Sequence, residues 1–213
     1  GLQSIFLLDW YFVSQTLITA REYFPMLGDF GNKAMQIVSS GPMHVEKEIP
    51  SGILQAIYDA QKSILIQTPY FLPTETVIEA LQIAALRGID VRLMMSERSD
   101  MVFVQMASYS YIKHMLESGI KVYFYQKGFL HSKMMIFDDS LTLIGSPNFD
   151  VRSFEQNFEV EAFIYDEEIG RQAREIFTDD QRDCIRITLR EWMKRPKWNR
   201  FIESVLRLFA PLL

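Results

Sequence analysis

His131-Ser132-Lys133-Met134-Met135-Ile136-Phe137-Asp138-Asp139-Ser140-Leu141-Thr142-Leu143-Ile144-Gly145-Ser146-Pro147-Asn148 is the stretch on which the fold turns. Residues 133–137 and 141–144 read as two strands, and Asp138-Asp139-Ser140 between them reads as the turn of a hairpin. Side chains on a strand alternate faces, so His131 and Lys133 share one face while Asp138 lies on the other. Parity therefore predicts that Asp138 is a structural anchor for the turn and not a reacting group.

Working upstream, strand-like and helix-like patterns alternate. Residues 120–125 read as a strand, 102–117 as a helix stopped by Gly119, and 89–94 as a strand. Before them come a helix over 75–86 with Gly88 past its end, a strand over 63–67 and a helix over 53–60. Downstream, 158–164 is again strand-like. This alternation predicts an α/β fold, a mixed, largely parallel sheet sandwiched between helices. No internal repeat or low-complexity segment interrupts it.

The amino-terminal part differs. The apolar run over 5–13, interrupted by Asp9 and continued at helical spacing through Leu17 and Ile18, predicts a helix packed against something. Residues 25–33, with Gly28 and Gly31, read as a linker before a short strand at 34–38. The boundary falls there, giving a tail or linker helix at 1–24 and a main domain at 25–213.

Composition sets limits. The 213 residues fit one large domain or two small ones, and 48% hydrophobic residues supply a core. A net charge of −5 argues against a surface built to neutralise nucleic-acid phosphates. The one cysteine, Cys184, excludes an internal disulfide and a cysteine-rich metal site, and reads as a small buried hydrophobe. No apolar stretch reaches the roughly 18 residues that span a bilayer, so the chain itself is expected to be soluble. It opens with Gly1-Leu2-Gln3-Ser4, which suggests a start inside a longer protein.

Chemistry concentrates around the hairpin. Ser146 and Asn148, two apart after the second strand, return toward His131, and Glu159 reaches the same place from the strand at 158–164. Such a set suits a phosphodiester. Imidazole acts as nucleophile or general acid near neutral pH. Lys133 neutralises nonbridging oxygens, Ser146 and Asn148 donate hydrogen bonds to them, and Glu159 holds the imidazole in one tautomer. No metal or other cofactor is required. A lone histidine on a hairpin is ordinarily structural, and a lone lysine ordinarily a solvated charge, but an ammonium in an apolar strand is costly unless it is used. His44, in a loop, and His114, on a helix, lack a lysine two residues on and read as structural or surface residues.

The spacing His-x-Lys-x4-Asp-x6-Gly-Ser-x-Asn, complete from His131 to Asn148 with Gly145 in place, resembles the signature of the phospholipase D superfamily. Glu159 stands where that superfamily has an acidic partner for its histidine. Thr68-Pro69-Tyr70-Phe71-Leu72-Pro73, Arg87-Gly88-Ile89-Asp90-Val91, Gly128-Phe129-Leu130-His131, the segment from Val151 to Glu159 and the terminal Arg207-Leu208-Phe209-Ala210-Pro211-Leu212-Leu213 resemble bacterial cardiolipin synthases over essentially the whole chain. The resemblance implies a phospholipase D-like half-domain, with residues 1–24 the tail of a preceding catalytic half. It also implies two such motifs brought together, one histidine forming a phosphohistidine and the other protonating the leaving alcohol. This chain has one motif. His131 would then be the acid and base, with the nucleophile in a missing first half of the same full-length chain, and the fragment alone would be nearly inactive.

Phosphatidylglycerol is the substrate implied, with the cell membrane, on its cytoplasmic side, as the working surface. Tyr70 and Phe71, just past a strand, line the alcohol or glycerol pocket or else belong to the core, two readings of equal weight. Asp100 reads as a solvated loop residue near the rim. From Arg182 to Arg207, eight basic residues against three acidic ones give a local balance of 8 − 3 = +5 in a chain of −5. Trp192, Trp198, Phe201, Val205, Leu208 and Phe209 interleave with them, and Pro196 divides the run into two basic amphipathic helices. These helices either lie in a membrane interface or dock on the core with a solvated basic face.

Three functions fit. The leading one is phosphatidyl transfer making cardiolipin from two phosphatidylglycerols, or from phosphatidylglycerol and another phospholipid. The second is a single-motif phosphodiesterase or nuclease completed by homodimerisation, which the acidic charge disfavours along with any nucleic-acid partner. The third is a noncatalytic lipid-binding half-domain.

Overall fold

The computed structural model describes residues 1–26, 28, 31–42 and 46–209, so His44 lies outside the described residues. An eight-stranded sheet runs in the order β1 (Ala34–Ser40), β9 (Glu159–Tyr165), β7 (Leu141–Gly145), β6 (Met134–Phe137), β2 (Ser63–Gln67), β4 (Asp90–Ser96), β5 (Lys121–Tyr125) and β10 (Cys184–Ile187). Two further short strands, β3 (Phe71–Leu72) and β8 (Phe149–Asp150), pair in parallel beside it. The helices are α1 (Leu2–Ser14), α2 (Glu48–Asp59), α3 (Glu75–Leu86), α4 (Val102–Glu117), α5 (Val151–Glu155), α6 (Glu167–Arg182), α7 (Leu189–Met193) and α8 (Lys197–Arg207).

The sheet is mixed, as predicted, but "largely parallel" is corrected. Of its seven neighbouring pairs, only β2 with β4 and β4 with β5 are parallel. Parallel neighbours need a crossover helix, which α3 and α4 supply, whereas hairpins and returning edge strands pair antiparallel.

Helices cover both faces. Ile53 and Ile57 of α2, Leu81 of α3 and Ile112 of α4 pack with Ile64, Ile66, Leu93 and Val122 of the sheet. On the other face, Ala173 and Phe177 of α6 meet Leu65, Met94 and Ile136. Every residue of β2 is buried, which explains its unbroken apolar run. Helix α6 went unread in the sequence, although Ile169, Ala173 and Phe177 recur at helical spacing behind an Asp166 cap; Gly170, Ala173 and Phe177 are its buried residues. A side chain at Gly170 would run into the Asp139 backbone. That close approach lets Arg174 bind the Asp139 carboxylate and, at 2.5 Å, the Ser63 hydroxyl.

Asp138 and Asp139 both sit at positive φ, 54° and 60°, where aspartate is better tolerated than most residues. The Asp138 carboxylate accepts from the backbone N–H groups of Gln61, Lys62 and Ser63 at 2.7, 2.8 and 2.8 Å. It fastens the hairpin turn to the entrance of β2, at the far end of the strands from His131.

Three expectations need adjustment. Helix α1 stops at Ser14, where Gln15 turns left-handed at φ 54°, and does not continue to Ile18. None of its residues is fully buried; it lies loosely against the edge of the sheet, with Phe12 packing on Phe158 at 5.8 Å and Ile5 and Leu8 lining a cavity with Ser39, Ser40 and Val160. Cys184 is half-buried, with its thiol 3.3 Å from the Asp180 carbonyl, and burial pushes that thiol up to about 12. His114 is a surface residue, 3.7 Å from Glu117. No helix of the described residues is long and apolar enough to cross a membrane.

Candidate active site

The carboxyl ends of β1, β2, β4 and β7 and the starts of β6 and β9 meet at one end of the sheet, the end where α/β folds place ligands. The Ser96 hydroxyl, closing β4, accepts from Leu130 N at 3.0 Å and donates to the Gly128 carbonyl at 3.2 Å. It thereby hangs the loop carrying His131 over the sheet. The Thr68 hydroxyl donates to the Tyr70 carbonyl at 2.8 Å and accepts from Phe149 N at 3.1 Å, joining the segments that follow β2 and β7.

At this end Lys133 lies against His131. Its ammonium is 3.3 Å from each ring nitrogen and donates to the His131 carbonyl at 3.1 Å. Burial lowers the Lys133 pKa, while the charges of Glu159, Asp150 and Asp100 oppose that shift. No carboxylate among the described residues is ion-paired with it. The Phe129 ring packs 5.2 Å from the imidazole and 6.2 Å from Tyr70.

Gly145 N donates to the Lys133 carbonyl at 3.5 Å, and Ser146 N to the Val160 carbonyl at 2.9 Å. The Ser146 hydroxyl donates to Glu159 and accepts from Val160 N at 3.0 Å. Asn157 donates to the other Glu159 oxygen at 3.3 Å. Glu159, expected to hold the imidazole, is therefore engaged by Ser146 and Asn157, and the polar group against the His131 ring is Lys133. Asn148 is held through its backbone N–H by the Ser153 hydroxyl at 3.1 Å, and its side-chain oxygen is buried without a hydrogen-bond partner among the described residues. It lines a cavity of about 180 Å³ with Tyr70, Asp150, Arg152 and Asn157.

Both aromatics are buried, and only Tyr70 reaches the cavity. Tyr70 borders that cavity and its hydroxyl donates to Asp100; burial first, and then this bond, pushes the phenol up to about 12. Phe71 is wholly buried, stacked on Phe149 at 5.3 Å, so the core accounts for it and the pocket does not. Asp100, read as a solvated loop residue, is the acceptor for Tyr70.

Glu161 went unnoticed in the sequence, although its spacing of two from Glu159 puts both carboxyls on one face of β9. It is 1% exposed and both its oxygens are buried without a hydrogen-bond partner among the described residues. Burial, and next the charge of Glu159, push its carboxyl up to about 8.

Comparison with known sequences fits this geometry. The profile of the family described as "Cardiolipin synthase, PLD-like domain" matches residues 53–181, more than half of the chain. The chain belongs to this family. It is 44% identical over 215 residues to the major cardiolipin synthase ClsA of Bacillus subtilis, and 41% identical over 218 residues to a cardiolipin synthase of Clostridium perfringens. Each alignment covers 100% of this chain and 45% or 46% of the relative, so the chain spans about half the length of the curated relatives it matches. Among solved structures, this cardiolipin synthase-family domain resembles phosphatidylserine synthase of Haemophilus influenzae, with TM-score 0.65, 17% identity, and 84% of this chain and 46% of that one covered. It also resembles the phospholipase D family member Nuc of Salmonella typhimurium, with TM-score 0.62, 24% identity and coverage of 74% and 99%. At these identities the structures speak for the fold alone.

Proposed function

We propose that this chain is one half-site of a phosphatidyltransferase that makes cardiolipin from phosphatidylglycerol, or from phosphatidylglycerol and another phospholipid, at the cytoplasmic face of the cell membrane. The other half-site comes from a first catalytic half in the same full-length protein, to which residues 1–24 belong. A histidine there attacks the phosphorus of one phosphatidylglycerol. The P–O bond to the headgroup glycerol breaks as His131, an imidazolium, gives its proton to the departing oxygen. Neutral His131 then takes the proton of the acceptor lipid's hydroxyl, whose oxygen attacks phosphorus and breaks the P–N bond. Lys133 and Asn148 hold the nonbridging oxygens, Ser146, whose one hydroxyl proton goes to Glu159, fixes that carboxylate, and Tyr70 borders the pocket for the alcohol.

The observation that carries this reading is the Lys133 ammonium beside the His131 ring with no carboxylate among the described residues paired to it. A cation kept free next to an acid/base group is arranged for an anionic oxygen that arrives with the substrate.

The test is cardiolipin formation from phosphatidylglycerol in detergent micelles by the complete two-half protein. His131→Ala is expected to lower the rate about 10²- to 10⁴-fold. Unchanged synthesis would leave His131 a structural role only. The 213-residue chain alone is expected to be inactive, and turnover by it that persists on dilution would overturn the half-site reading.

A further inference from the structure

Helix α8 carries its apolar stripe on the outside. Trp198, Phe201, Val205 and Leu208 recur at three- and four-residue intervals, which aligns them on one helix face. Trp198 is nevertheless 67% exposed, Phe201 58% and Leu208 77%. The side turned toward α4 is held by ionic contacts. Glu203 is buried and paired with Arg195, whose guanidinium stacks 3.8 Å over Trp192 and 5.2 Å over Tyr109. Arg207 bonds Glu75 at 2.7 Å and covers Tyr111 at 4.9 Å.

The helix thus docks on the core, one of the two arrangements its sequence allowed, with Trp192 of α7 and Leu206 packed there, while Trp198, Phe201 and Leu208 face water. Exposed apolar surface of this kind is unfavourable unless something covers it.

Charge identifies what covers it. Lys194, Lys197 and Arg200 flank the stripe, and none is ion-paired among the described residues. They belong to a segment of balance 8 − 3 = +5 in a chain of −5. A second copy docked by the same face would set these cations against themselves. An anionic bilayer offers phosphates at the level of the cations and acyl chains at the level of the stripe.

We propose that α7 and α8 form the surface by which this protein lies on an anionic phospholipid bilayer. Trp198, Phe201, Val205 and Leu208 enter the acyl boundary, and Lys194, Lys197 and Arg200 meet headgroup phosphates. This goes beyond the transfer chemistry and is read without turnover.

The experiment is co-sedimentation of the 213-residue chain with vesicles of phosphatidylcholine, with and without phosphatidylglycerol, alongside sedimentation velocity without lipid. The parent chain is expected to bind the anionic vesicles preferentially. Trp198→Ser with Phe201→Ser, both at exposed sites, should weaken binding at least about ten-fold with an unchanged melting curve. Lys194→Glu, Lys197→Glu and Arg200→Glu together should abolish the anionic preference, each lost cation alone being worth about five-fold. His131→Ala should bind as the parent does, which separates this proposal from the catalytic one. The proposal is overturned if the parent does not bind anionic vesicles, or if the Ser pair leaves binding unchanged. It is equally overturned if binding is lost on Phe6→Ser with Trp10→Ser in α1 instead, or if the Ser pair abolishes a dimer and no vesicle binding.

Discussion

Glu161 of β9 lies directly opposite Gly145 of β7, and its carboxyl occupies the space that a side chain at 145 would need. A Cβ at 145 would also meet the Val160 carbonyl and approach Glu161 Cα to 2.8 Å. Gly145→Ala is therefore expected to destabilise the fold by about 1–3 kcal/mol through overpacking, measured as a lower urea midpoint. Because a backbone carbonyl contributes to the clash, adding Glu161→Ala should restore only part of the loss. Full recovery in the double variant would show that the side chain alone matters.

Glu161 also predicts a pH dependence of stability. Its folded carboxyl keeps a proton up to about pH 8, against an ordinary value of 4.5. Between those limits the folded chain binds a proton that the unfolded chain has released, so stability falls as pH rises. Glu161→Gln keeps the shape and removes the titration. Its melting temperature should match the parent's near pH 4.5 and exceed it increasingly up to pH 8.5. A difference that does not vary with pH would contradict the assignment.

Asp138 should report on folding and not on proton transfer. Asp138→Ala strips the acceptor from three backbone N–H groups and should cost about 1.5–3 kcal/mol. Asp138→Asn can still accept through one oxygen and should lose less. In the complete enzyme, assayed well below its melting point, either change should lower the rate far less than His131→Ala. An equal loss of rate would place Asp138 in the chemistry.

Arg195 and Glu203 hold α8 to the core. Burial raises the Glu203 carboxyl while Arg195 opposes that shift. Arg195→Met leaves a buried carboxylate unpaired and should cost about 3–5 kcal/mol, seen as earlier proteolytic release of the carboxy-terminal segment. Adding Glu203→Leu should recover most of it, since a well-packed apolar pair commonly replaces a buried ion pair at little cost. No recovery would mean that Arg195 acts mainly through its stacking on Trp192.

Much of this protein was legible before its structure. The helices at 75–86 and 102–117 and the strand at 63–67 appear where periodicity put them, because local patterns of burial and glycine stops are written into neighbouring residues. The hairpin of 133–137 and 141–144 was legible from its strand-like runs and turn, and the motif from His131 to Asn148 from its resemblance to a known superfamily. Asp138 anchors the turn as expected, on the backbone of residues 61–63, but the length of β6 (Met134–Phe137) separates it from His131, since both residues lie outside the strand and face parity does not apply.

What the chain by itself determined was therefore local: which segments are strands and helices, and which residues form the motif. Tertiary structure decided the rest. The antiparallel balance of the sheet depends on which strands become neighbours, a choice between distant segments. Phe71 is wholly buried against Phe149 because β3 pairs with β8, across nearly eighty intervening residues, while the buried Tyr70 keeps an edge on the cavity. Glu161 became a buried carboxyl only through the absence of a side chain at Gly145 on the adjoining strand. The outward stripe of α8 depends on Arg195, Tyr109 and Glu75 securing its other side. Each of these is a contact between residues far apart in sequence, and periodicity, which compares neighbours, carries no information about them.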